Sequence, residues 1–328
     1  GGIAICAPIA PYTATRRAVR EGFIGLPPDA LVLVALSGGA DSLALAAATA
    51  FEAPRAGLRA GAVIIDHGLQ QASTDAAARA AEQARELGLD PVIQRSVDVG
   101  TAGGPEAAAR DARYAALQAV ATELDAAAVF FGHTLDDQAE TVLLGLARGS
   151  GPGSLRGMAA VNGLWRRPLL GIHRAETAAA CNHQGLEFWR DPQNEDPPFA
   201  RVRVRESVLP LFELELGPGI AEALARTAEQ LREDSAALDE MVLEFIEEIC
   251  EPAEAGIAVS VAALAANPAA LRQRVIRFVV QSEFGMSLDR VHTLSVARLV
   301  TDWHGQKALN LPGIRVERNA GLLVFTAA

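Results

Sequence analysis

Leu31-Val32-Leu33-Val34-Ala35-Leu36 runs without a break into Ser37-Gly38-Gly39-Ala40-Asp41-Ser42, and a helical pattern opening Leu43-Ala44-Leu45 follows at once. An unbroken apolar run suits a strand buried on both faces of a parallel sheet, because a strand with one wet face alternates. The two glycines let the backbone turn tightly and approach a ligand closely. Successive N–H groups at a helix start make an anion site, and the hydroxyls of Ser37 and Ser42 add donors. A plain strand-to-helix turn capped by Asp41 or Ser42 is the simpler alternative. The stretch has neither the lysine and GK[ST] ending of a Walker loop nor the GxGxxG of a dinucleotide site. The complete string after a buried strand marks a phosphate-binding turn of another kind.

Working outward, the runs 62–65, 91–93 and 126–131 are again short and apolar. Between them, 41–52, 74–87 and 105–124 are rich in Ala, Leu, Arg and Glu at helical spacing. This alternation predicts an α/β domain with a doubly wound, mostly parallel sheet. Ligands in such sheets bind beyond the carboxyl ends of the strands. The loops after Leu36, Ile65 and Phe131 are therefore the places to search. Beyond Gly217-Pro218 the pattern turns helical over 220–249, 268–284 and 288–302, and 313–325 reads as a hairpin around Asn319-Ala320-Gly321. The expected organisation is a catalytic domain over 1–215 and a smaller helical domain over 216–328 that ends in a short β hairpin.

Composition narrows the class. Half of the 328 residues are hydrophobic and 21% are charged, a globular balance. The net charge of −11 is concentrated, since 213–254 holds thirteen acidic residues against Arg226 and Arg232. The remainder is balanced, and its positive charge is almost all arginine, with Lys307 the sole lysine. Arginine suits bidentate phosphate contacts. Cys6, Cys181 and Cys250 lie far apart with no CxxC, which argues against a disulfide framework or a metal cluster and fits a reducing compartment. No basic region precedes the apolar stretch 3–10, and no uncharged stretch is long enough to span a bilayer. The expectation is a cytoplasmic protein without signal peptide or membrane segment.

The sharpest local signal follows the fourth apolar run: Phe131-Gly132-His133-Thr134-Leu135-Asp136-Asp137-Gln138-Ala139-Glu140-Thr141. Asp136 and Glu140 are four apart and share a helix face, with Asp137 three from Glu140. Acidic residues favour a first helical turn through the helix dipole. Three carboxylates on one face also repel one another, so a cation beside them, Mg²⁺ or a substrate ammonium, is the better account.

The string Ser37 to Ser42 resembles the SGGxDS signature of the PP-loop ATP pyrophosphatases. That resemblance implies ATP as substrate, with its pyrophosphate end on Ser37, Gly38, Gly39, Ala40, Asp41 and Ser42 and its adenosine near Ile65 and His67. It also implies Mg²⁺, for which Asp41 and Asp137 are the candidate ligands. GHTLDDQAET, followed by Arg148-Gly149-Ser150-Gly151, Gly157-Met158 and Arg167-Pro168-Leu169-Leu170, is similar to the tRNA(Ile)-lysidine synthases. Such enzymes adenylate C2 of the wobble cytidine of tRNA(Ile) with a CAU anticodon, after which free L-lysine displaces AMP. The resemblance places His133, Asp136, Asp137 and Glu140 at the reacting base and the lysine. It places Arg110, Arg113, Arg148, Asn194, Arg201 and Arg205 on the tRNA. The chain departs from the family pattern at Gln193 and Val202. The oligomeric state stays open, a homodimer included. Two other readings remain, another PP-loop enzyme such as a tRNA thiolase or amide-forming synthetase, and a non-catalytic nucleotide-binding regulator.

Overall fold

A computed structural model describes residues 11–66, 71–97, 105–149, 152–189, 200–254 and 256–328. Its contacts divide the chain into two units. One ends at Ala147, resumes at Gly157 and closes at Ala228; the other takes Arg148–Arg156 and Glu229–Ala328. The sequence alone suggested a break at 215/216.

The first unit is built on helix α1 (Tyr12–Gly22), strand β1 (Leu31–Ala35), α2 (Ala40–Glu52), β2 (Arg59–Asp66), α3 (Gln71–Glu86), β3 (Val92–Ser96), α4 (Pro105–Glu123), β4 (Ala126–Phe131) and α5 (Leu135–Ala147). A short turn of helix, α6 (Pro152–Leu155), belongs to the second unit. The first unit resumes with β5 (Val161–Asn162), β6 (Trp165–Arg166), α7 (Arg174–His183), α8 (Ala200–Arg203), a π-helical turn Val204–Val208 and α9 (Leu209–Leu216). Its sheet has the order β3-β2-β1-β4-β6-β5, and every pairing is parallel except β5 with β6. The doubly wound parallel sheet expected from the sequence is present.

Burial explains the unbroken apolar runs. Val32, Val34, Ala62, Ile64, Ala128 and Phe130 face one side of the sheet, where they pack with α1, α2 and the alanine face of α3. Leu31, Leu33, Val63, Val129 and Phe131 face the other, against Leu117, Val120 and Ala121 of α4. Both faces are covered, so neither can carry polar residues. Arginine and aromatic contacts extend the second face, where Tyr114, Phe131 and Trp165 pack with ring centroids 5.2 to 5.6 Å apart.

The second unit contains α10 (Ile220–Ile249) from Glu229 onward, β7 (Cys250–Ala253), β8 (Gly256–Ser260), α11 (Val261–Ala266), α12 (Ala269–Phe284), α13 (Arg290–Thr301), β9 (Leu309–Leu311), β10 (Ile314–Asn319) and β11 (Leu322–Ala327). The terminal hairpin β10–β11 appears as expected, and β8 and β9 flank it in a five-stranded antiparallel sheet with order β7-β8-β11-β10-β9. The sequence reading missed β7, β8 and β9 because each is short and borders a stronger helical pattern. Val275, Ile276, Val279 and Val280 of α12 close over Ile314, Val316, Leu323 and Phe325 of this sheet.

One contact fixes the geometry of the carboxyl rim. The strand β1 pairs with both β2 and β4, so the order reverses between β1 and β4 and opens a crevice at their carboxyl ends. Gly132, just after β4, lies against the turn after β1: a Cβ there would stand 2.8 Å from the Ser42 nitrogen and 2.9 Å from the Asp41 carbonyl carbon. Any side chain forces the loop away. Gly132→Ala is expected to destabilise the protein by about 1–3 kcal/mol through this overpacking, read as a lowered urea midpoint; an unchanged midpoint contradicts the contact.

Candidate active site

The turn after β1 is held from within. The Ser42 hydroxyl donates to the Gly39 carbonyl at 3.0 Å, accepts from the Ser37 N–H at 3.2 Å and lies 3.1 Å from the Ser37 hydroxyl. Gly38 has φ +83°, a conformation that costs a side-chain-bearing residue energy. Its carbonyl accepts from the Trp189 N–H at 2.9 Å. Gly39 caps α2 without a side-chain bond, and the first N–H groups of a helix have no partner within it. Ser37, Gly38, Gly39, Ala40, Asp41 and Ser42 are thus brought together. Ile65 is half-buried near the end of β2, and His67 lies outside the described residues.

Across the crevice, α5 presents its carboxylates toward this turn. Asp137 Oδ2 accepts from the Thr134 N–H at 2.8 Å and the Thr134 hydroxyl at 2.9 Å, which pins the start of α5. The cation that three neighbouring carboxylates require is supplied largely by the chain itself. Arg174, at the start of α7, donates from Nη2 to Asp137 Oδ1 at 2.8 Å and reaches Glu140 Oε1 at 3.4 Å. Its Nε lies 3.5 Å from Asp41 Oδ2 in the loop. Its backbone N–H donates to Asp136 Oδ2 at 2.8 Å. Thr177, one turn further along α7, donates its hydroxyl to Asp41 Oδ1.

Glu140 is enclosed. Its side chain is 0% exposed, and Arg205 donates to its two oxygens at 2.8 and 3.2 Å while Arg201 Nε stands 3.7 Å away. Leu135, Ala139 and Leu143 of α5 pack with Leu209 and the partly buried Val204 and Val208, which presses the Arg201–Arg205 segment onto α5. Arg205 sits in the π-helical turn, an irregularity that often marks functional positions. Removing one partner of so buried a pair typically costs about 3–5 kcal/mol.

The charges shift one another. Burial raises the pKa of Asp41 above the usual range, against the Thr177 hydrogen bond and Arg174. Burial also pushes on Asp137, but the Arg174 guanidinium and the Thr134 N–H outweigh it and hold that carboxyl below the usual range. Arg174 is itself desolvated, and Asp137, Glu140, Asp41 and Asp136 outweigh that cost and keep it charged.

His133 belongs to a second cluster. Its ring stacks on Phe131 at 5.6 Å, and the guanidinium carbons of Arg113 and Arg167 lie 5.8 and 5.6 Å from the Phe131 ring centre. Arg113 Nε, His133 Nδ1 and Arg167 Nε are buried without a hydrogen-bond partner among the described residues. Arg110 is exposed on α4, 5.5 Å from the Tyr114 ring centre. Arg148 is exposed and groups with the second unit. Asn194 lies outside the described residues.

Sequence reasoning gave no place in the site to Arg174 and Thr177, and named Arg167 only within a motif. A signal for Arg174 did exist: a cation in the first turn of a helix opposes the helix dipole, and His173 and Glu176 form a capping box that marks this helix start. A misplaced cation at a marked helix start calls for carboxylates nearby. For a metal, the described residues hold no group of three or more His, Cys, Asp or Glu arranged to bind one. Asp41 and Asp137 nonetheless converge on one guanidinium and keep side-chain exposures of 22% and 11%, whereas Glu140 keeps none. A cation held by two carboxylates plus phosphate oxygens and water fits Asp41 and Asp137 and does not fit Glu140.

A glycine turn with free helix-start N–H groups at the switch point of a doubly wound sheet, opposite paired carboxylates, is the arrangement of a PP-loop domain. A PP-loop domain family accordingly matches residues 13–212, and a TilS substrate binding domain family matches 260–323. A tRNA(Ile)-lysidine synthase of Leifsonia xyli is 62% identical over 92% of this chain and 91% of its own. One of Thermobifida fusca is 50% identical over 98% and 99%. The chain belongs to the tRNA(Ile)-lysidine synthase family. Among solved structures, the U34-tRNA thiolase NcsA from Methanococcus maripaludis superposes with TM-score 0.55 over 67% of this chain and 78% of its own, at 21% identity, a likeness of fold.

The His133 environment yields a pH prediction. Burial, with Arg113, Arg167 and Arg201 adding to it against Asp137, lowers its pKa from 6.5 to about 4. A lowered value means that the unfolded chain binds the proton first as pH falls. The contribution to stability is full above pH 6.5 and declines from there to about pH 4. Urea melts across this window are expected to show a shallower pH slope in His133→Asn than in the wild type; equal slopes contradict the assignment.

Proposed function

We propose that this protein is an ATP-dependent ligase that forms lysidine at the wobble cytidine of tRNA(Ile) carrying a CAU anticodon, in the cytoplasm. The observation that carries this reading is the placement of the Ser37 to Ser42 turn and the α5 carboxylates on one rim, joined through Arg174. The N–H groups of the turn and of α2 receive the pyrophosphate end of ATP, where charge builds as it leaves. The cytidine O2 attacks the α-phosphorus, an amine of lysine then attacks C2, and AMP departs with that oxygen. No enzyme nucleophile is needed. Asp41 and Asp137 would hold Mg²⁺, which supplies charge neutralisation for the leaving pyrophosphate.

The chain's own groups divide the remaining work. Asp136 is the most exposed carboxylate of the cluster, at 31%, and is the candidate partner for a lysine ammonium. Glu140 holds Arg205 and Arg201 in place. Neutral His133, with Arg113 and Arg167, holds buried nitrogens that have no hydrogen-bond partner among the described residues, beside aromatic rings, a setting that suits a planar base with polar edges. Arg110 and Arg148, exposed, fit phosphate contacts, which makes tRNA binding fall steeply with salt. Cys181 is buried, gives its thiol hydrogen to the Ala40 carbonyl at 3.3 Å and has its pKa pushed up to about 12, so thiol chemistry is disfavoured there.

The test supplies ATP, Mg²⁺, L-lysine and tRNA(Ile) with a CAU anticodon. AMP is expected to form together with lysine incorporation. Asp137→Ala is expected to stay folded and lose turnover by about 100-fold or more, the scale of losing one electrostatic stabiliser. AMP release with a different acceptor and none with this tRNA overturns the substrate; normal turnover of the variant removes Asp137 from the mechanism.

A further inference from the structure

Arg174 stands in a place that its own helix disfavours. A cation in the first turn of α7 opposes the helix dipole, and the surrounding carboxylates reverse that balance. The guanidinium touches three carboxylates from two motifs more than ninety positions apart in the chain, Asp41 on one side and Asp137 and Glu140 on the other. Glu140 has Arg201 and Arg205 besides. Among the described residues, Asp41 has one other side-chain partner, the neutral hydroxyl of Thr177, and Arg174 is the guanidinium nearest to Asp137. Without Arg174, Asp41 stands largely uncompensated at the start of α2, beside the N–H groups that the turn offers to an anion.

We propose that Arg174 is a positioning residue that locks the phosphate-binding turn to the α5 carboxylates and neutralises Asp41, so that the rim accepts a triphosphate. This rests on the function proposed above. The role belongs to the guanidinium shape as much as to its charge. A planar fork spans three carboxylates at once, and an ammonium is a point charge that cannot. Arg174 thereby acts through Asp41 and Asp137 rather than on the reacting atoms.

The experiment measures binding of ATP with Mg²⁺ to the full chain by calorimetry, in the absence of tRNA, with a melting curve for each variant. Arg174→Ala is expected to weaken ATP binding by about tenfold or more, the size of one lost charge-assisted contact. Arg174→Lys, which keeps a cation and protects against simple misfolding, is expected to weaken it as well. Millimolar guanidinium ion should recover part of the affinity of Arg174→Ala, while the same concentration of sodium chloride should not. A residue that merely props the fold gives a lower melting temperature with unchanged affinity and no rescue. Either variant binding like the wild type, or absence of rescue, overturns the inference. A wild type that binds no ATP overturns the functional reading itself.

Discussion

The parallel pairing of β1 with β4 is the constraint on which the rest depends. Each strand carries its motif at its carboxyl end, so pairing in parallel delivers both motifs to one rim. Gly132 makes the approach close enough to matter, because the backbone of Asp41 and Ser42 occupies the space where a side chain would stand. Had β4 paired at a sheet edge or run antiparallel, the turn and the acidic helix would lie apart. The switch point between β1 and β4 is where an open α/β sheet leaves a crevice, and both motifs line it.

The second constraint is electrostatic. Packing carboxylates at the start of α5 is favourable for the helix dipole and unfavourable for the carboxylates themselves. Arginines drawn from α7, α8 and the π-helical turn resolve the conflict. Burial of Glu140 among them fixes the segment after residue 199 against α5, and the same contacts set how much of each carboxylate remains open. The gradient from closed Glu140 to open Asp136 separates groups that organise the rim from groups that can meet a ligand. Buried ion pairs contribute little net stability and specify geometry well when fully partnered.

Much of this was legible in the chain. The doubly wound sheet follows from apolar runs such as Leu31 to Leu36, since burial on both faces removes the alternation that would mark other strands. The rim followed from topology, because Ser37 to Ser42 and Gly132 to Thr141 each end a strand of that sheet. What escaped was set by distant partners. A cation beside Asp137 was expected from the repelling carboxylates, but that Arg174 stands there as well depends on α7 packing against α1 and α2, which no local pattern announces. The pairing of Arg201 and Arg205 with Glu140 was equally invisible in the chain, and both side chains keep part of their surface open. Strands β7, β8 and β9 lack an unambiguous period of their own and depend on tertiary pairing.

Hydrogen exchange on the full chain, with and without ATP and Mg²⁺, tests the shared rim most directly. One nucleotide bridging both motifs slows exchange in the turn 37–44 and, at the same ligand concentration, in 132–141. Protection confined to the turn, with 132–141 exchanging as in the free protein, contradicts the account.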